Sequence, residues 1–150
     1  MLRCTVFLVV VMTAKADSGS ETECCTSDLN LRIDAIEQQL LALPSVYVEQ
    51  FIATILSPER TNLKLRVRFQ AKYLLAVSEA LRVIDGQVTQ LDYRYHFQDE
   101  NHQLIFRYDS TPHFPNLASF PHHKHLPDNV VATDKPELVQ VLQEANRYLR

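Results

Sequence analysis

The feature that most restricts the fold is a strict two-residue alternation in the middle of the chain. In residues Leu63–Phe69 every second side chain is apolar, and the three between them are Lys64, Arg66 and Arg68. Because successive side chains of a β-strand point to opposite faces, this period predicts a strand with one apolar and one positively charged face. Such a strand belongs to a sheet whose apolar face is covered by a second layer.

Neighbouring segments predict further strands that are joined by short turns. β-branched and aromatic residues are frequent in them, and Asp85-Gly86 is a strong signal for a tight hairpin. The other predicted strands are Val46–Leu56, Tyr73–Ile84, Val88–Phe97 and Gln103–Asp109. Consecutive strands with short connections pair antiparallel, so the pattern predicts an antiparallel meander of about five strands.

Two amphipathic helices flank the predicted meander. The first is predicted to begin at Ser27 or Asp28 and to end before Pro44, with apolar residues at helical spacing. The second is predicted to start at Pro136, a residue that suits the first turn of a helix. We expect both helices to pack on one face of the sheet, which gives a single α+β domain over residues 27–150.

Residues 1–26 do not fit this domain. A basic residue, a short apolar run and small residues near Ala16 are typical of a secretion signal, whereas a true start at Met12 would make the segment a misassigned extension. The polar stretch Asp17–Thr26 predicts disorder. All three cysteines lie in the first 25 residues, without the spacing of a zinc site or of a disulfide framework.

All six histidines lie between Leu91 and His125, together with most of the aromatic residues. Histidine changes its charge near neutral pH and is a frequent metal ligand, so this clustering predicts a functional site. Four of the seven prolines fall within Ser110–Thr133, which predicts a long irregular loop. A loop of this length inside a compact domain tends to be functional or disordered.

The net charge of −3 excludes a polycation, so nucleic-acid binding would require a local basic face. The charged face of the predicted sheet offers one, because arginine in particular matches the geometry of phosphate oxygens. Tyrosines beside it could stack on bases. The residues predicted to bind RNA are Lys64, Arg66, Arg68, Tyr93, Tyr95 and Lys124.

The same region could also cleave RNA. Cleavage without a metal needs a base for the 2′-hydroxyl proton, an acid for the leaving oxygen and cations for the developing charge. The residues predicted to carry out this chemistry are Arg94, His96, Arg107, Asp109, His122, His123 and His125. We therefore predict a metal-independent endoribonuclease that needs no cofactor.

Several alternatives remain open from the residues alone. The charges on the strand face could simply be solvated, as on many exposed strands. The domain could be a binding module without catalysis that docks a partner protein or RNA. Neutral histidines together with Asp109 could instead make a histidine-rich metal-binding protein, although their spacing matches no metal motif.

Three motifs near the end of the chain resemble the signature of the TumE family of toxin–antitoxin proteins. They are Tyr-x-Tyr-His-aromatic-Gln-Asp and Ile-Phe-Arg-aromatic-Asp at two strand ends, and Phe-Pro-His-His-Lys-His in the loop. The resemblance extends from Val46 to Ala145. The chain departs from the family pattern at His102, where glycine is usual, at Ser110, where asparagine is usual, and at Phe114, which is often histidine.

The resemblance implies a small toxin encoded beside an antitoxin that has a helix-turn-helix DNA-binding domain. It favours a cytoplasmic protein without membrane contact, and a misassigned start over a secretion signal for residues 1–26. RNA cleavage is an interpretation of the residues and is not implied by the resemblance.

Overall fold

The computed structural model describes residues 8–12, 22–57 and 59–149, with side chains described from residue 29 onward. Ten elements follow one another along the chain. The strands are β1 (Leu8–Met12), β2 (Val46–Ser57), β3 (Arg60–Phe69), β4 (Tyr73–Ile84), β5 (Gln87–Gln98), β6 (Leu104–Asp109), β7 (His123–Leu126) and β8 (Asn129–Ala132). The helices are α1 (Thr22–Leu41) and α2 (Leu138–Arg147).

The strands form one sheet in the order in which they occur in the sequence. Strands β2 to β8 pair antiparallel, and β1 adds to the edge of β2 in parallel. The predicted α+β class and antiparallel meander are confirmed, but the number of antiparallel strands is seven rather than about five. The hairpin at Asp85-Gly86 is present, and both of its residues have positive φ.

The two additional antiparallel strands lie in the segment that was predicted to be one long loop. Within Ser110–Thr133, β7 and β8 form a hairpin, with Leu126 paired to Asn129. Strand β7 is short and contains two histidines and a lysine, so it lacks the apolar alternation by which β3 is recognised. Cross-strand pairing with β6 determines its conformation.

Both helices contribute an apolar stripe to one core. The predicted stripes are confirmed, because Leu29, Ile33, Ile36 and Leu40 of α1 and Leu138, Val141, Leu142 and Ala145 of α2 are buried. Helix α1 begins at Thr22, before the predicted start at residue 27 or 28.

Side-chain contacts place both helices on the same face of the sheet. From α1, Arg32 forms an ion pair with the buried Glu79 of β4. From α2, Glu144 accepts a hydrogen bond from the hydroxyl of Tyr108 in β6. Glu79 and Tyr108 face the same way, since β5 pairs Tyr93 with Glu79 and Tyr95 with Tyr108.

Most of residues 1–26, which were predicted to be a disordered extension, lie outside the described residues. Within that segment the structure describes β1 and the first residues of α1, so helical structure crosses the predicted domain boundary. Among the described residues, no helix combines the length and apolar character needed to cross a membrane.

Candidate functional site

Strand register assembles the site on the sheet face opposite the helices. Arg94 of β5 pairs with Asp109 of β6, and His96 pairs with Arg107. On the other side of β6, Asp109 pairs with His123 of β7 and Arg107 with His125. Directly paired residues of antiparallel strands point to the same face. We call this the basic face: Lys64, Arg66, Arg68, Arg94, His96, Arg107, Asp109, His123 and His125.

The centre of the basic face is a carboxylate between two imidazoles. Asp109 is 2% exposed and His123 is 1% exposed. The Nε2 atom of His123 lies 2.9 Å from Oδ1 of Asp109, and Nε2 of His125 lies 3.4 Å from Oδ2. The two Nε2 atoms lie 3.0 Å from each other. Arg107 completes the group, because its Nε–H donates to Oδ2 of Asp109 over 2.9 Å.

A third imidazole approaches the same centre from the loop between β6 and β7. The ring centroid of His113 lies 4.6 Å from that of His123 and 5.7 Å from that of His125. Phe114 packs edge-on against both of those rings. His113 was not among the residues predicted for the site, since nothing in the sequence shows where an irregular loop folds back onto a sheet.

Burial affects the proton affinity of the imidazoles on this face. Desolvation lowers the pKa of His125, and the positive charge of Arg107 acts in the same direction. Desolvation also lowers the pKa of His96, together with Arg94 and Arg107, although a hydrogen bond with Gln98 opposes them. The neutral form of both rings is therefore favoured at physiological pH.

The cations of β3 are partly neutralised. Glu49 of β2 lies 3.2 Å from Nε of Arg66 and 2.7 Å from a terminal nitrogen of Arg68. Burial raises the pKa of Glu49, but Arg68 and Arg66 outweigh it and hold that pKa below its usual value. Lys64 is exposed at the same end of the face. Glu49 is a site neighbour that the sequence did not indicate.

Four of the predicted site residues point to the opposite face, under the helices. The rings of Tyr93 and Tyr95 are 2% and 1% exposed, so neither is available to stack on a base in this structure. The hydroxyl of Tyr95 donates to Glu79 over 2.7 Å, and that of Tyr93 lies 3.0 Å from Nδ1 of His122.

Lys124 also lies on the helix side of the sheet. Its Nζ atom is 2.6 Å from a carboxylate oxygen of Glu144 and sits over the rings of Phe106 and Tyr108. The alternation of a strand explains this division, because side chains 122 and 124 point away from side chains 123 and 125. We therefore do not include Tyr93, Tyr95, His122 or Lys124 in the site.

Comparison with protein families decides the affiliation of the chain. The model of the family described as Toxin TumE matches residues 35–150. The chain belongs to the TumE toxin family. The resemblance in the sequence is thereby confirmed, and every residue of the basic face lies within the matched part. As a TumE toxin, the chain is the toxin of a toxin–antitoxin system, which implies an antitoxin partner. The chain matches no curated protein and no solved structure.

Proposed function

We propose that this TumE toxin binds RNA on its basic face and cleaves it beside Asp109. One observation carries the proposal. Two arginines, a half-buried histidine and a carboxylate–imidazole group meet on three adjacent strands, on the sheet face that the helices leave uncovered. Such an arrangement offers phosphate contacts and proton-transfer groups in fixed geometry.

Arg94 is the strongest candidate for the phosphate contact. Its side chain is exposed, and it forms no ion pair with any residue in the described part of the chain. Arg107, by contrast, is held against Asp109 and is only 21% exposed. An arginine without a carboxylate partner can offer its whole guanidinium fork to a phosphate. Lys64, Arg66 and Arg68 extend the positive surface along β3 for neighbouring phosphates.

The proposed reaction is attack of a ribose 2′-oxygen on the adjacent phosphorus. A new O2′–P bond forms, the P–O5′ bond breaks, and the products carry a 2′,3′-cyclic phosphate and a 5′-hydroxyl. A base removes the 2′-hydroxyl proton, and an acid returns a proton to the leaving O5′. We assign His96 as the base, because burial favours its neutral form between Arg94 and Arg107. Its Nε2 lies 3.0 Å from Oε1 of Gln98 and its Nδ1 is buried, so the ring must turn to present a lone pair to the 2′-hydroxyl. The two arginines stabilise negative charge on the phosphate.

The family also supports two proposals about the cellular setting. We infer that the antitoxin carries a helix-turn-helix DNA-binding domain, and that the toxin acts in the cytoplasm, where RNA is available. Co-expression with the adjacent open reading frame tests the first. A stable complex that binds the promoter DNA supports it, and a partner without DNA binding contradicts it.

Cleavage is tested with the purified full chain and an end-labelled single-stranded RNA. We expect products with 2′,3′-cyclic phosphate ends. His96→Ala should slow cleavage by about 10²-fold or more, the usual contribution of a general base. Arg94→Ala should slow it as well. Arg147→Ala is the matched control. It removes a cation from the last turn of α2, on the helix side of the sheet, so this variant should cleave at the wild-type rate.

Two outcomes would contradict the proposal. RNA that is bound but stays intact would identify a binding module without catalysis. Cleavage at an unchanged rate by both His96→Ala and Arg94→Ala would show that the reaction does not take place on the basic face.

A further inference from the structure

We infer that Asp109, His113, His123 and His125 form a binding site for one divalent transition-metal ion, with zinc as the reference ion. The four residues come from the end of β6, the following loop and β7. Each offers one ligand atom, and all four atoms lie within 4.8 Å of one another. Three imidazole nitrogens with one carboxylate oxygen are a typical ligand set for zinc and its neighbours in the first transition series.

The separations between ligand atoms fit a bound ion. With metal–ligand bonds of about 2.0–2.1 Å, the ligand atoms of a tetrahedral site lie about 3.3 Å apart. Here Nε2 of His123 lies 2.9 Å from Oδ1 of Asp109 and 3.0 Å from Nε2 of His125, and Nε2 of His125 lies 3.4 Å from Oδ2 of Asp109. The ligand atom of His113 lies within 4.8 Å of the other three. Only small side-chain movements would be needed to place the ion between these atoms.

The hydrogen-bond partners of His123 give a second, independent reason. Its Nδ1 lies 2.9 Å from the carbonyl oxygen of Pro121, which can only accept, so Nδ1 carries the hydrogen. In the neutral ring, Nε2 then has a lone pair, and this lone pair faces a carboxylate oxygen and a second imidazole nitrogen. Nε2 of His123 and Oδ1 of Asp109 are then two acceptors 2.9 Å apart, which repel each other, and a cation between them removes that repulsion.

A proton on His123 could also relieve this repulsion, but it leaves His113 without a role. A single Nε2–H of His123 points at Asp109 or at His125, whereas a ring nitrogen of His113 also lies within 4.8 Å of the other three ligand atoms. An ion uses all four groups at once. The spacing of the histidines in the sequence matches no metal motif, yet His123 and His125 alternate along β7 and so face the centre together.

The surroundings are those of a metal site. The Nδ1–H of a metal-binding histidine usually donates to a carbonyl or a carboxylate, as His123 does to Pro121. The carboxylate ligand is itself held by Arg107, and Phe114 covers two of the imidazoles. The charge of Arg107 opposes the ion, so its contact with Asp109 weakens metal binding while orienting the carboxylate.

The metal site rests on the proposed function only for its part in cleavage, since binding itself is measured without RNA. With an ion bound, His123 and His125 act as ligands and do not transfer protons to or from RNA. His96 is then the histidine of the basic face that remains for proton transfer. This differs from the metal-independent reaction predicted from the sequence.

The test uses the full chain, purified without a polyhistidine tag and stripped with a chelator. Zn²⁺ or Co²⁺ is then added, and bound metal is measured by elemental analysis and by the visible absorption of Co²⁺. We expect about one ion per chain and a raised unfolding temperature in the presence of Zn²⁺. His113→Ala and His125→Ala should each weaken binding by about tenfold or more.

His96→Ala and His102→Ala are matched controls, because both remove an imidazole from outside the four ligands. Circular dichroism verifies that each variant is folded, and His113→Ala removes only an exposed loop side chain. Binding well below one ion per chain, or equal weakening by the controls, would overturn the site. If the metal-free protein cleaves RNA, the proposed function stands and the metal has no part in cleavage. If the protein binds the ion but does not cleave RNA, the metal site stands and the proposed function is wrong.

Discussion

In the run His122-His123-Lys124-His125, neighbouring side chains lie on opposite faces of the sheet and have different roles. Because residues 123–125 lie in β7, His123 and His125 reach the basic face while Lys124 pairs with Glu144 under the helices. The grouping of histidines with Arg107 and Asp109 could be predicted from the sequence. Their division between two faces could not, because a strand composed of polar residues has no recognisable period.

His102 has a backbone conformation that carries a structural cost. Its φ is 62°, in the left-handed region that favours glycine. A non-glycine residue there costs about 1–2 kcal/mol, and glycine costs about 0.5–1 kcal/mol in chain entropy. We expect His102→Gly to raise the free energy of unfolding by up to about 1 kcal/mol, as measured by urea denaturation.

His102→Ala serves as the control for this change. It removes the imidazole, including the contact between Nδ1 and the amide of Gln98, but keeps the Cβ atom. We expect it to be neutral or slightly destabilising. A His102→Gly protein that is no more stable than His102→Ala would show that the turn is not strained.

His96 makes the stability of the metal-free protein depend on pH. Burial, Arg94 and Arg107 lower its pKa in the folded state, so the unfolded chain binds more protons as the pH falls. The stability contributed by neutral His96 is complete above its unfolded pKa of about 6.5 and is lost below it. Urea denaturation in EDTA should therefore give a lower free energy of unfolding at pH 5.5 than at pH 7.5.

A matched variant isolates this contribution. His96→Gln cannot titrate, so its stability should fall less between pH 7.5 and pH 5.5 than that of the wild type. His122 and His125 also have lowered pKa values, so part of the dependence should persist. An unchanged pH dependence in His96→Gln would contradict the assignment.

At the scale of elements, five strands of the meander and both amphipathic stripes could be predicted, because their residues follow regular apolar periods. The β7–β8 hairpin could not, since β7 has only four residues and is defined by pairing with β6. The start of α1 was placed too late because its first residues are polar. The part of the basic face on β3, β5 and β6 follows from the parity of positions along those strands, whereas the placement of His123 and His125 depends on the pairing of β7 with β6.

An ion pair between Arg32 and Glu79 connects α1 to the sheet. Glu79 is a charged residue on the apolar face of β4, which the alternation of apolar and polar residues does not explain. Glu79 is 1% exposed, lies 2.7 Å from the guanidinium of Arg32 and accepts the hydroxyl of Tyr95. Arg32→Leu would leave a buried carboxylate without its cation, so we expect a loss of about 3 kcal/mol in urea denaturation.

A double-mutant cycle separates the pair from simple packing. In the Arg32→Leu and Glu79→Gln double variant the buried charge is absent, so the loss should be smaller than the sum of the two single losses. Additive losses would mean that Arg32 does not compensate the charge of Glu79.

For the whole molecule, a net charge of −3 coexists with one positively charged surface. RNA binding on that surface should weaken as salt is added, because bound phosphates release counterions. Arg94→Ala should reduce the slope of log K against log salt by about 0.7, the value for one phosphate contact on a single strand. Fluorescence anisotropy with a short RNA measures this.

Arg147→Ala is the matched control for this measurement. It removes the same charge from the last turn of α2, on the helix side of the sheet. The control should bind with the wild-type slope. Equal slopes for Arg94→Ala and the wild type would mean that Arg94 does not contact an RNA phosphate.

The central claim, that this TumE toxin acts by cutting RNA on its basic face, is tested most directly inside growing cells. The chain is expressed without its antitoxin, and growth is followed while the 5′ ends of cellular RNA are mapped. We predict growth arrest with new RNA ends for the wild type and Arg147→Ala, and neither for His96→Ala or Arg94→Ala. Growth arrest with intact RNA, or undiminished toxicity of both basic-face variants, would contradict the account.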